Sequence, residues 1–502
     1  MSDDRCVPAG LPTETKPPTN KTKLSLHRAV NSHRILDNPD KSCYIARTFS
    51  MIRGIGKHMH LTRKQFIRLT AATAAVTASG AIFYRATRST AKGKIVIVGG
   101  GAAGISVAAQ LSRALLNPDI TVIDPSDRHY YQPGFTLIAS GIYTPDSVWK
   151  NQKECIPSGV KWVKDSVTLI NPDKKAVTTN ISGTLTYDFL VLAPGLQINW
   201  SRIEGITQAA LGNGNAHSIY DFTGAQRTWT ALQAFAKKGG KAIFTDTHTK
   251  HKCGGAPKKI CLLTDDYMRR MKTRSSASID FYTAAKHLYD VPYYTPRLEE
   301  IYAERKIPVH LHTRIKGIDI QAKKAYLEQV KQNDDKTQTV APLIQDYDFL
   351  HFTPPQTAPD FVVKSGLSWS EGPLAAEGWA MTDKKTLLHA KYPNIVCLGD
   401  VAGIPTSKTS AAIRKQAPIA VANLLSIMEN KAPVASYNGY AACPIITEYG
   451  KLILCEFDYD KKPCTSFPFT LLDTSKELRE GWWLKVYVLK PLYFYGMLTG
   501  LA

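Results

Sequence analysis

One cysteine near the middle of the chain is surrounded by basic residues. Cys253 lies in the stretch HKCGGAPKKIC, and its basic neighbours are Lys250, His251, Lys252, Lys258 and Lys259. Cationic neighbours lower the pKa of a cysteine, and the thiolate is its reactive form. A helix predicted from Ala256 or Pro257 would add the positive end of its dipole. The segment therefore predicts a nucleophilic thiolate that attracts small anions.

The cysteines as a set do not form a metal or disulfide pattern. The chain has nine of them, widely scattered, and no C-x-x-C pair occurs. Zinc sites and disulfide frameworks have characteristic cysteine spacings. We therefore predict no metal site, and we expect most of these cysteines to be buried as small apolar side chains.

A glycine-rich turn near residue 100 predicts a dinucleotide-binding site. A strand from Lys94 to Val98 runs directly into GGGAAG and then into a helix. The glycines of G-x-G-x-x-G permit a tight turn, the approach of a pyrophosphate and close helix–strand packing. A second strand ends in Asp124, twenty residues after Gly104, where a ribose-binding carboxylate is expected. The predicted cofactor residues are Gly99, Gly101, Ala102, Ala103, Gly104 and Asp124.

Two later strands end in turns that resemble the rest of an FAD-binding half. TYDFLVLAPG closes on Gly195, and NIVCLGDVAG closes on Gly399 and Asp400. A helix that begins near Lys408 follows the second of these turns. In two-dinucleotide flavoproteins three such strands converge on one edge, and the late carboxylate meets the ribityl chain of the flavin. The resemblance therefore adds Gly195, Gly399 and Asp400 to the cofactor residues.

The middle of the chain predicts a second dinucleotide-binding domain without its phosphate loop. The helix TGAQRTWTALQAFAKK and the strand KAIFT indicate a βαβ unit within residues 215–355. The turn after Thr245 has the sequence DTHTKHKCGGAPKK, which lacks a second G-x-G-x-x-G. Because that fingerprint positions a pyrophosphate, its absence argues against NADH as the electron donor.

Several short segments together resemble sulfide:quinone oxidoreductase, in its mitochondrial-type branch. They are KCGGAPKKI, RHYYQPGFT, IPSGVKW, HFTPP, PTSKTSAAI and YNGYAACP, and the resemblance extends from about Lys94 to the C-terminus. It implies FAD as the cofactor, hydrogen sulfide and membrane quinone as substrates, and a small sulfur acceptor such as glutathione, sulfite or cyanide. It also implies that Cys253 is redox-active and carries persulfide sulfur beside the flavin.

The resemblance assigns further flavin contacts outside the glycine loops. Gln132, in RHYYQP, is predicted to contact the flavin, and Val167 completes the cofactor set. Lys408 is expected to approach the flavin ring, where a cation would stabilise the reduced, anionic flavin.

One position departs from the family pattern. The family's second redox cysteine directly follows the late Gly-Asp, where this chain has Val401. We predict Cys397, four residues earlier, as the second catalytic thiol, with buried packing as the other interpretation of this residue. Cys155 and Cys443 are alternatives that folding could bring close. Cys261 would lie about 12 Å from the first thiol at ~1.5 Å per helical residue, which is too far for a disulfide.

The predicted fold is α/β, with tandem Rossmann-like domains of the two-dinucleotide flavoprotein type. We expect a basic targeting leader with a weakly apolar helix at residues 1–92. The FAD-binding domain is predicted in two parts, and the second domain carries the cysteine loop between them. The predicted bounds are 93–214 for the first FAD part, 215–355 for the second domain, 356–435 for the second FAD part and 436–502 for a C-terminal quinone- and membrane-interaction region.

Charge and composition at the two ends predict where the protein is located. A net charge of +11, of the +21 in total, lies in residues 1–92, and no acidic residue occurs between Lys41 and Pro118. Such a leader is typical of mitochondrial import, while the segment around Arg63 resembles an imperfect bacterial export signal. The rest of the chain is mildly basic without an Arg/Lys stripe. This pattern favours a membrane surface and excludes nucleic acid as a partner.

The C-terminus, GWWLKVYVLKPLYFYGMLTGLA, combines aromatic rings with only two lysines. We expect Pro491 to divide it into two short pieces, neither of which could cross a bilayer. Aromatic, amphipathic segments favour the headgroup zone. The segment predicts a peripheral, monotopic membrane protein at the mitochondrial inner membrane, or alternatively at a bacterial inner membrane. The other interpretation of the segment is a terminal helix that packs on the body of the protein.

Three other functions share the predicted fold. A type II NADH:quinone oxidoreductase would need the missing second glycine triad. A non-catalytic FAD-binding protein would be explained by the loss of the second redox cysteine. A flavocytochrome-type sulfide dehydrogenase subunit would pass electrons to haem, but the aromatic C-terminus favours quinone.

Overall fold

The computed structural model describes residues 88–335 and 337–501. The predicted leader lies outside the described residues, apart from its last five, so its role stays a prediction. The described chain is built on two five-stranded parallel β-sheets. The α/β fold class with tandem Rossmann-like domains is confirmed.

The first sheet carries the glycine-rich cofactor loop. Its strands are parallel, in the spatial order Ile395–Cys397, Phe189–Leu192, Lys94–Val98, Asp119–Ile123 and Lys161–Val163. Along its central strand, Ile95 and Ile97 enter one hydrophobic cluster, and Val96 and Val98 enter another. Both faces of this sheet are therefore buried, as is usual for parallel sheets, and its strands are continuous apolar runs.

The second sheet carries the cysteine loop. Its strands are also parallel, in the order Ala216–His217, Phe349–His351, Gly240–Thr245, Ala277–Tyr282 and Val309–His310. The chain enters this domain after the short strand Gln197–Ile198 and leaves it before Gln356–Thr357. These two strands pair antiparallel, so they tie the entry and exit of the domain together.

Smaller sheets and helices cover the two main sheets. The antiparallel sheets are Val167–Asn171, Ala176–Thr179 and Thr184–Thr186; Thr313–Asp319, Lys324–Gln332 and Gln338–Asp346; Ala441–Glu448, Lys451–Phe457 and Glu477–Leu478; and Arg128–Tyr130 with Trp149–Asn151. The α-helices are Ala102–Ala114, Phe135–Ile138, Gln152–Cys155, Phe222–Lys238, Ala256–Arg270, Thr295–Glu304, Asp360–Lys364, Ser410–Met428, Arg479–Trp483 and Leu489–Leu492. The helix and strand predicted around TGAQRTWTALQAFAKK and KAIFT are confirmed.

The C-terminal segment is helical and packs on the rest of the chain. Between Arg479 and Met497, α-helical turns alternate with the π-helical stretches Leu484–Val488 and Tyr493–Met497. The expected break at Pro491 is wrong, because the wider π turns accommodate a ring that would clash with an ordinary preceding turn. Tyr493 and Phe494 are buried in the same hydrophobic cluster as the first sheet. Within the described ranges, no helix combines the length and apolar character that a membrane span requires.

Candidate active site

Cys253 lies at the carboxyl edge of the second sheet, between the strand Gly240–Thr245 and the helix Ala256–Arg270. Its φ of 51° is in the left-handed region that non-glycine residues rarely adopt. Its N–H donates to the Lys408 carbonyl at 2.9 Å, and its carbonyl accepts from the Ala256 N–H at 2.7 Å. The loop is thereby fixed to the turn that follows Asp400. Strained backbone of this kind concentrates at functional sites.

Cys443 is the side chain that faces Cys253. It lies in the strand Ala441–Glu448, and the two sulfur atoms are 3.0 Å apart. Both cysteines are free thiols. Gly255 permits this approach, because a Cβ atom there would lie 2.8 Å from the Cys443 sulfur. The second glycine of KCGGAP therefore makes room for the second thiol.

Two buried lysines approach the sulfur pair from different elements. Lys259, in the helix after the loop, places its Nζ 3.1 Å from the Cys253 sulfur. Lys485, from the C-terminal segment, donates to the Pro133 carbonyl at 3.2 Å and lies 5.7 Å from the centre of the Tyr131 ring. Burial, together with the nearby charge of Lys259, lowers the pKa of Lys485 to about 7. The pair thus lies beside the ammonium group of Lys259 and a second lysine, Lys485, whose charge is disfavoured by burial.

The two thiols of the pair differ in acidity. The hydrogen bond from Cys443 and the charge of Lys259 hold the pKa of Cys253 well below its usual value, against the effect of burial. The same hydrogen bond, together with burial, raises the pKa of Cys443 well above its usual value. Burial acts to lower the pKa of Lys259, but the Cys253 and Cys443 sulfurs act in the opposite direction, and the pKa of Lys259 is raised overall. We therefore assign a thiolate to Cys253, a thiol to Cys443 and an ammonium group to Lys259.

The structure does not place Cys397, our predicted second thiol, against Cys253. Strand alternation directs Cys397 into a hydrophobic cluster on the other face of the first sheet, together with Val401. Cys397 is fully buried there, and burial raises its pKa to about 12. Cys443, which we kept as an alternative, occupies the partner position. The choice of Cys397 over Cys443 is corrected accordingly.

The remaining candidate thiols lie outside the pair. Cys155 ends the short helix Gln152–Cys155, and burial raises its pKa to about 11. Cys261 is buried within the helix after the loop, and burial raises its pKa as well.

The predicted dinucleotide loop follows the strand Lys94–Val98. Gly99 has φ 101°, and a Cβ there would lie 2.3 Å from the Ala193 carbonyl oxygen; a Cβ at Gly104 would lie 1.8 Å from the Gly99 oxygen. At Gly101 an added Cβ would meet nothing within 4 Å. The first and third glycines thus allow close packing, while the second borders open space. Asp124 accepts from the Gly100 N–H at 2.7 Å, next to that space.

Predicted cofactor residues from other segments converge on the same edge. Gly399 and Asp400 form a short 3₁₀ turn directly after the strand Ile395–Cys397. The ammonium group of Lys408 donates to the Ala402 carbonyl at 3.2 Å and lies 3.6 Å from the centre of the Trp379 ring. Burial lowers the pKa of Lys408 to about 7.

The three other predicted cofactor residues lie in different parts of the fold. Gln132 accepts from Lys252 Nζ at 2.7 Å, which links the first domain to the cysteine loop. Gly195 follows the strand Phe189–Leu192 and has φ 79°, with open space where a Cβ would lie. Val167 begins a strand of a small antiparallel sheet and pairs with Thr179.

The described residues contain no group of three or more His, Cys, Asp and Glu side chains that could hold a metal ion.

Sequence reasoning missed Lys485 and ranked Cys443 too low. Cys443 lies 190 residues after its partner, so no local pattern in the sequence links the two residues. The sequence predicts Lys485 to be part of a membrane anchor, yet only 3% of this residue is exposed. The one signal in the sequence for a buried role of Lys485 was its place within an aromatic run, because a buried charge needs an opposite charge or hydrogen-bond partners.

Gly255→Ala should prevent the two thiols from closing to a disulfide. The added methyl group would lie 2.8 Å from the Cys443 sulfur, so the strand and the loop must separate. We expect oxidation of the reduced protein by diamide to slow roughly tenfold or more, because disulfide geometry tolerates little displacement. The measurement is quantification of alkylated Cys253 and Cys443 over time by mass spectrometry.

Gly254→Ala is the matched control for this experiment. A Cβ at Gly254 would approach only His251 Nε2, at 4.0 Å. We expect the control to oxidise at the wild-type rate. Equal, fast disulfide formation in both variants would contradict the role assigned to Gly255.

Comparisons with known proteins identify the family. The family model described as pyridine nucleotide-disulphide oxidoreductase matches residues 93–243. The chain is 40% identical over 410 residues to the mitochondrial sulfide:quinone oxidoreductase of Dictyostelium discoideum, with 81% of this chain and 86% of that protein covered. It is 35% identical over 407 residues to the mitochondrial sulfide:quinone oxidoreductase of Mus musculus, with the same coverage of 81% and 86%.

A solved structure agrees at the level of the fold. The sulfide:quinone oxidoreductase of the hyperthermophilic bacterium Aquifex aeolicus superposes with a TM-score of 0.65 at 19% identity, over 82% of this chain and 92% of that one. Because the two relatives exceed 30% identity over most of their length, the chain belongs to the mitochondrial-type sulfide:quinone oxidoreductase family.

Proposed function

We propose that this protein oxidises hydrogen sulfide and passes the electrons through FAD to a membrane quinone. The observation that carries this proposal is the contact of the Cys253 and Cys443 sulfurs at 3.0 Å, beside the charge of Lys259. Two thiols at this distance can close to a disulfide and open again by exchange with another sulfur nucleophile. Cys443 supplies the second redox thiol that is missing at Val401. This favours a catalytic protein over a non-catalytic one.

The edge of the first sheet fits FAD. Gly101 and Gly195 border open space, and the helix Ala102–Ala114 directs its first N–H groups towards the glycine loop. We assign the pyrophosphate to residues 99–104, a ribose to Asp124 and the ribityl chain to Asp400. Lys408, Gln132 and Val167 complete the proposed set. When bound, FAD accepts the two electrons released as the thiol pair closes and delivers them to quinone.

Sulfide enters the cycle by exchange with the oxidised pair. HS⁻ attacks the Cys443 sulfur, the bond between Cys443 and Cys253 breaks, and Cys253 leaves as a thiolate. The thiol of lower pKa is the better leaving group, and the Cys443 contact together with Lys259 lowers the pKa of Cys253. The persulfide therefore forms on Cys443, which refines the expectation that Cys253 carries it.

The cycle closes when the outer sulfur is removed. A small nucleophile such as glutathione, sulfite or cyanide attacks the outer sulfur of the Cys443 persulfide, and Cys443 is released as a thiol. Cys253 and Cys443 then close to the disulfide and give up two electrons and the remaining thiol proton. The charge of Lys259 stabilises the thiolate of Cys253 between these two steps.

We assign the membrane-facing side to the C-terminal region, at the mitochondrial inner membrane. Large apolar side chains are exposed there at Phe467, Leu471, Leu472, Tyr487, Tyr495 and Leu501. Aromatic and aliphatic side chains of this kind insert into the headgroup zone. Leu471→Glu combined with Tyr487→Glu should therefore lower co-sedimentation with anionic vesicles roughly tenfold or more, because each buried apolar side chain contributes about 1.5–3 kcal/mol.

An exposed apolar position elsewhere provides the control for vesicle binding. Ile181 is 82% exposed and lies outside the C-terminal region. Ile181→Glu should bind vesicles like the wild type, and equal losses in both variants would contradict the assignment of the membrane face.

The structure gives a reason to reject NADH as the electron donor. In the turn after the strand Gly240–Thr245, Asp246 and Lys258 form a buried ion pair, and Thr283 donates to Asp246 at 2.7 Å. Side chains thus fill the turn that a phosphate-binding glycine loop would leave open.

Flavin reduction separates the two candidate enzymes. Under anaerobic conditions we expect sulfide to bleach the flavin absorbance of the purified holoenzyme within its turnover time, and NADH to leave it unchanged. Added ubiquinone should restore the absorbance. Bleaching by NADH without bleaching by sulfide would overturn the proposed function.

A further inference from the structure

A third cysteine lies directly across the hairpin from the reactive pair. Cys455 is the register partner of Cys443 in the antiparallel strands Ala441–Glu448 and Lys451–Phe457. Side chains opposite each other in such a pair lie on the same face of the sheet, with Cβ atoms about 4.5–5.5 Å apart. Cys455 is fully buried. Cys455 therefore lies on the same face of the hairpin as Cys443, in a buried position.

Two further groups, Lys259 and Tyr289, act on this third thiol. Burial raises the pKa of Cys455, but Lys259 acts on the same thiol and lowers its pKa, so this one cation serves all three cysteines. The hydroxyl of Tyr289 also acts to lower the pKa of Cys455. Tyr289 is only 7% exposed, and among the described residues its hydroxyl has no partner in hydrogen-bond geometry. A buried, unpaired donor is costly unless a ligand or an anion uses it.

We propose that Cys455 is a third sulfur-carrying residue, which takes the outer sulfur of the Cys443 persulfide and holds it as a second persulfide beside the Tyr289 hydroxyl. This inference rests on the proposed function, because the Cys443 persulfide is its substrate. The site stores one sulfur atom away from Cys253. The reactive pair can then close and begin another cycle before an acceptor arrives.

The transfer needs no further reagent. The Cys455 sulfur attacks the outer sulfur of the persulfide; one S–S bond forms at Cys455 and the S–S bond at Cys443 breaks. The thiol proton of Cys455 moves to the Cys443 sulfur as it leaves. Oxidation states of the outer sulfur and the two cysteine sulfurs balance, so no electrons enter or leave. The Tyr289 hydroxyl donates to the new persulfide, which gives it the partner that it lacks.

Isotope-labelled sulfide tests this transfer in the wild-type holoenzyme. The enzyme is given ³⁴S-sulfide and ubiquinone without a sulfur acceptor, then denatured in the presence of an alkylating agent and digested with trypsin. Cleavage after Lys451 separates Cys443, in residues 432–451, from Cys455, in residues 452–461. We expect ³⁴S-persulfide on both peptides and about two sulfane sulfurs per chain by cyanolysis.

Three variants complete the test. Cys455→Ala should reduce the load to about one sulfur per chain, with label on the Cys443 peptide. Tyr289→Phe keeps the ring and should lower the label on Cys455 relative to that on Cys443. Cys261→Ala, a buried cysteine outside the site, should load like the wild type.

The possible outcomes separate this inference from the proposed function. Label on Cys443 without label on Cys455 in the wild type would overturn the inference and leave the proposed function standing. No label on either peptide would overturn both.

Discussion

Cys443→Ala should lower sulfide-dependent quinone reduction roughly 10³-fold or more, as the removal of a covalent catalytic residue does. Without Cys443, the thiolate of Cys253 has no sulfur at 3.0 Å with which to form a disulfide. Sulfide then has no S–S bond to attack, and the two-electron cycle cannot begin. The measurement is the steady-state rate of ubiquinone reduction with sulfide and sulfite, for holoenzyme of verified flavin content.

Cys397→Ala is the matched control. Cys397 is also a buried cysteine on a strand, but it lies in the hydrophobic cluster on the far face of the first sheet. Buried, structural cysteines are inert, so this variant should keep its rate within about twofold of the wild type. A large loss in Cys397→Ala together with normal activity in Cys443→Ala would restore our first choice of catalytic thiol.

Local sequence was sufficient to find the first thiol and the cofactor loop. The basic neighbours of Cys253 and the glycine spacing after Lys94–Val98 are features of contiguous residues. The reactivity of this thiol and the phosphate-binding role of this loop depend on the loop residues themselves and on the helix that immediately follows. The strand and helix boundaries could be predicted for the same reason, since hydrophobic runs and glycine turns are local signals.

The partner thiol could not be found in this way. Our choice of Cys397 used nearness in sequence to Val401, yet alternation along the strand Ile395–Cys397 places Cys397 and Val401 in one apolar cluster. The position of Cys443 depends on a long-range contact between a C-terminal hairpin and the cysteine loop, made possible by Gly255. No periodicity in the sequence encodes that contact.

The C-terminal segment shows the same limit. Its aromatic composition predicted a surface anchor, and exposed side chains such as Tyr487 remain consistent with one. The segment also directs Tyr493 into the core, where its hydroxyl lies 2.7 Å from His129 Nε2, and it brings Lys485 to the sulfur pair. Amino-acid composition does not tell which side chains of a segment are buried. The positions of Tyr493 in the core and of Lys485 at the sulfur pair depend on which face of the helix is buried.

Lys259→Met should raise the pKa of Cys253 by about 1–3 units, the usual effect of losing an opposite charge within hydrogen-bond distance. In the wild type the pKa of Cys253 lies well below its usual value, so its thiolate persists at pH values where an ordinary cysteine is protonated. In the variant the thiolate is lost at a higher pH. We therefore expect the pH below which quinone reduction falls to move upward by about the same 1–3 units, with the rate changing about tenfold per pH unit below that midpoint.

Alkylation of the reduced protein with iodoacetamide measures this shift directly, because only the thiolate reacts. The rate at Cys253, followed across pH by mass spectrometry, should have its midpoint displaced upward in Lys259→Met. Lys259→Arg keeps the positive charge, so the pKa of Cys253 should stay nearly as low as in the wild type. Lys250→Met removes an exposed charge from the same loop and should leave the midpoint unchanged.

The alkylation profiles also rank the two causes of the low pKa. The hydrogen bond from Cys443 is the largest single cause that lowers the pKa of Cys253, and Lys259 lowers it both by its charge and by a hydrogen bond. Cys443→Ala should therefore displace the midpoint upward as well, although it leaves the lysine in place. If Cys443→Ala left the midpoint at its wild-type pH while Lys259→Met raised it, the thiolate would depend on the lysine alone. Cys443 would then serve only as the second sulfur of the disulfide, without activating the first.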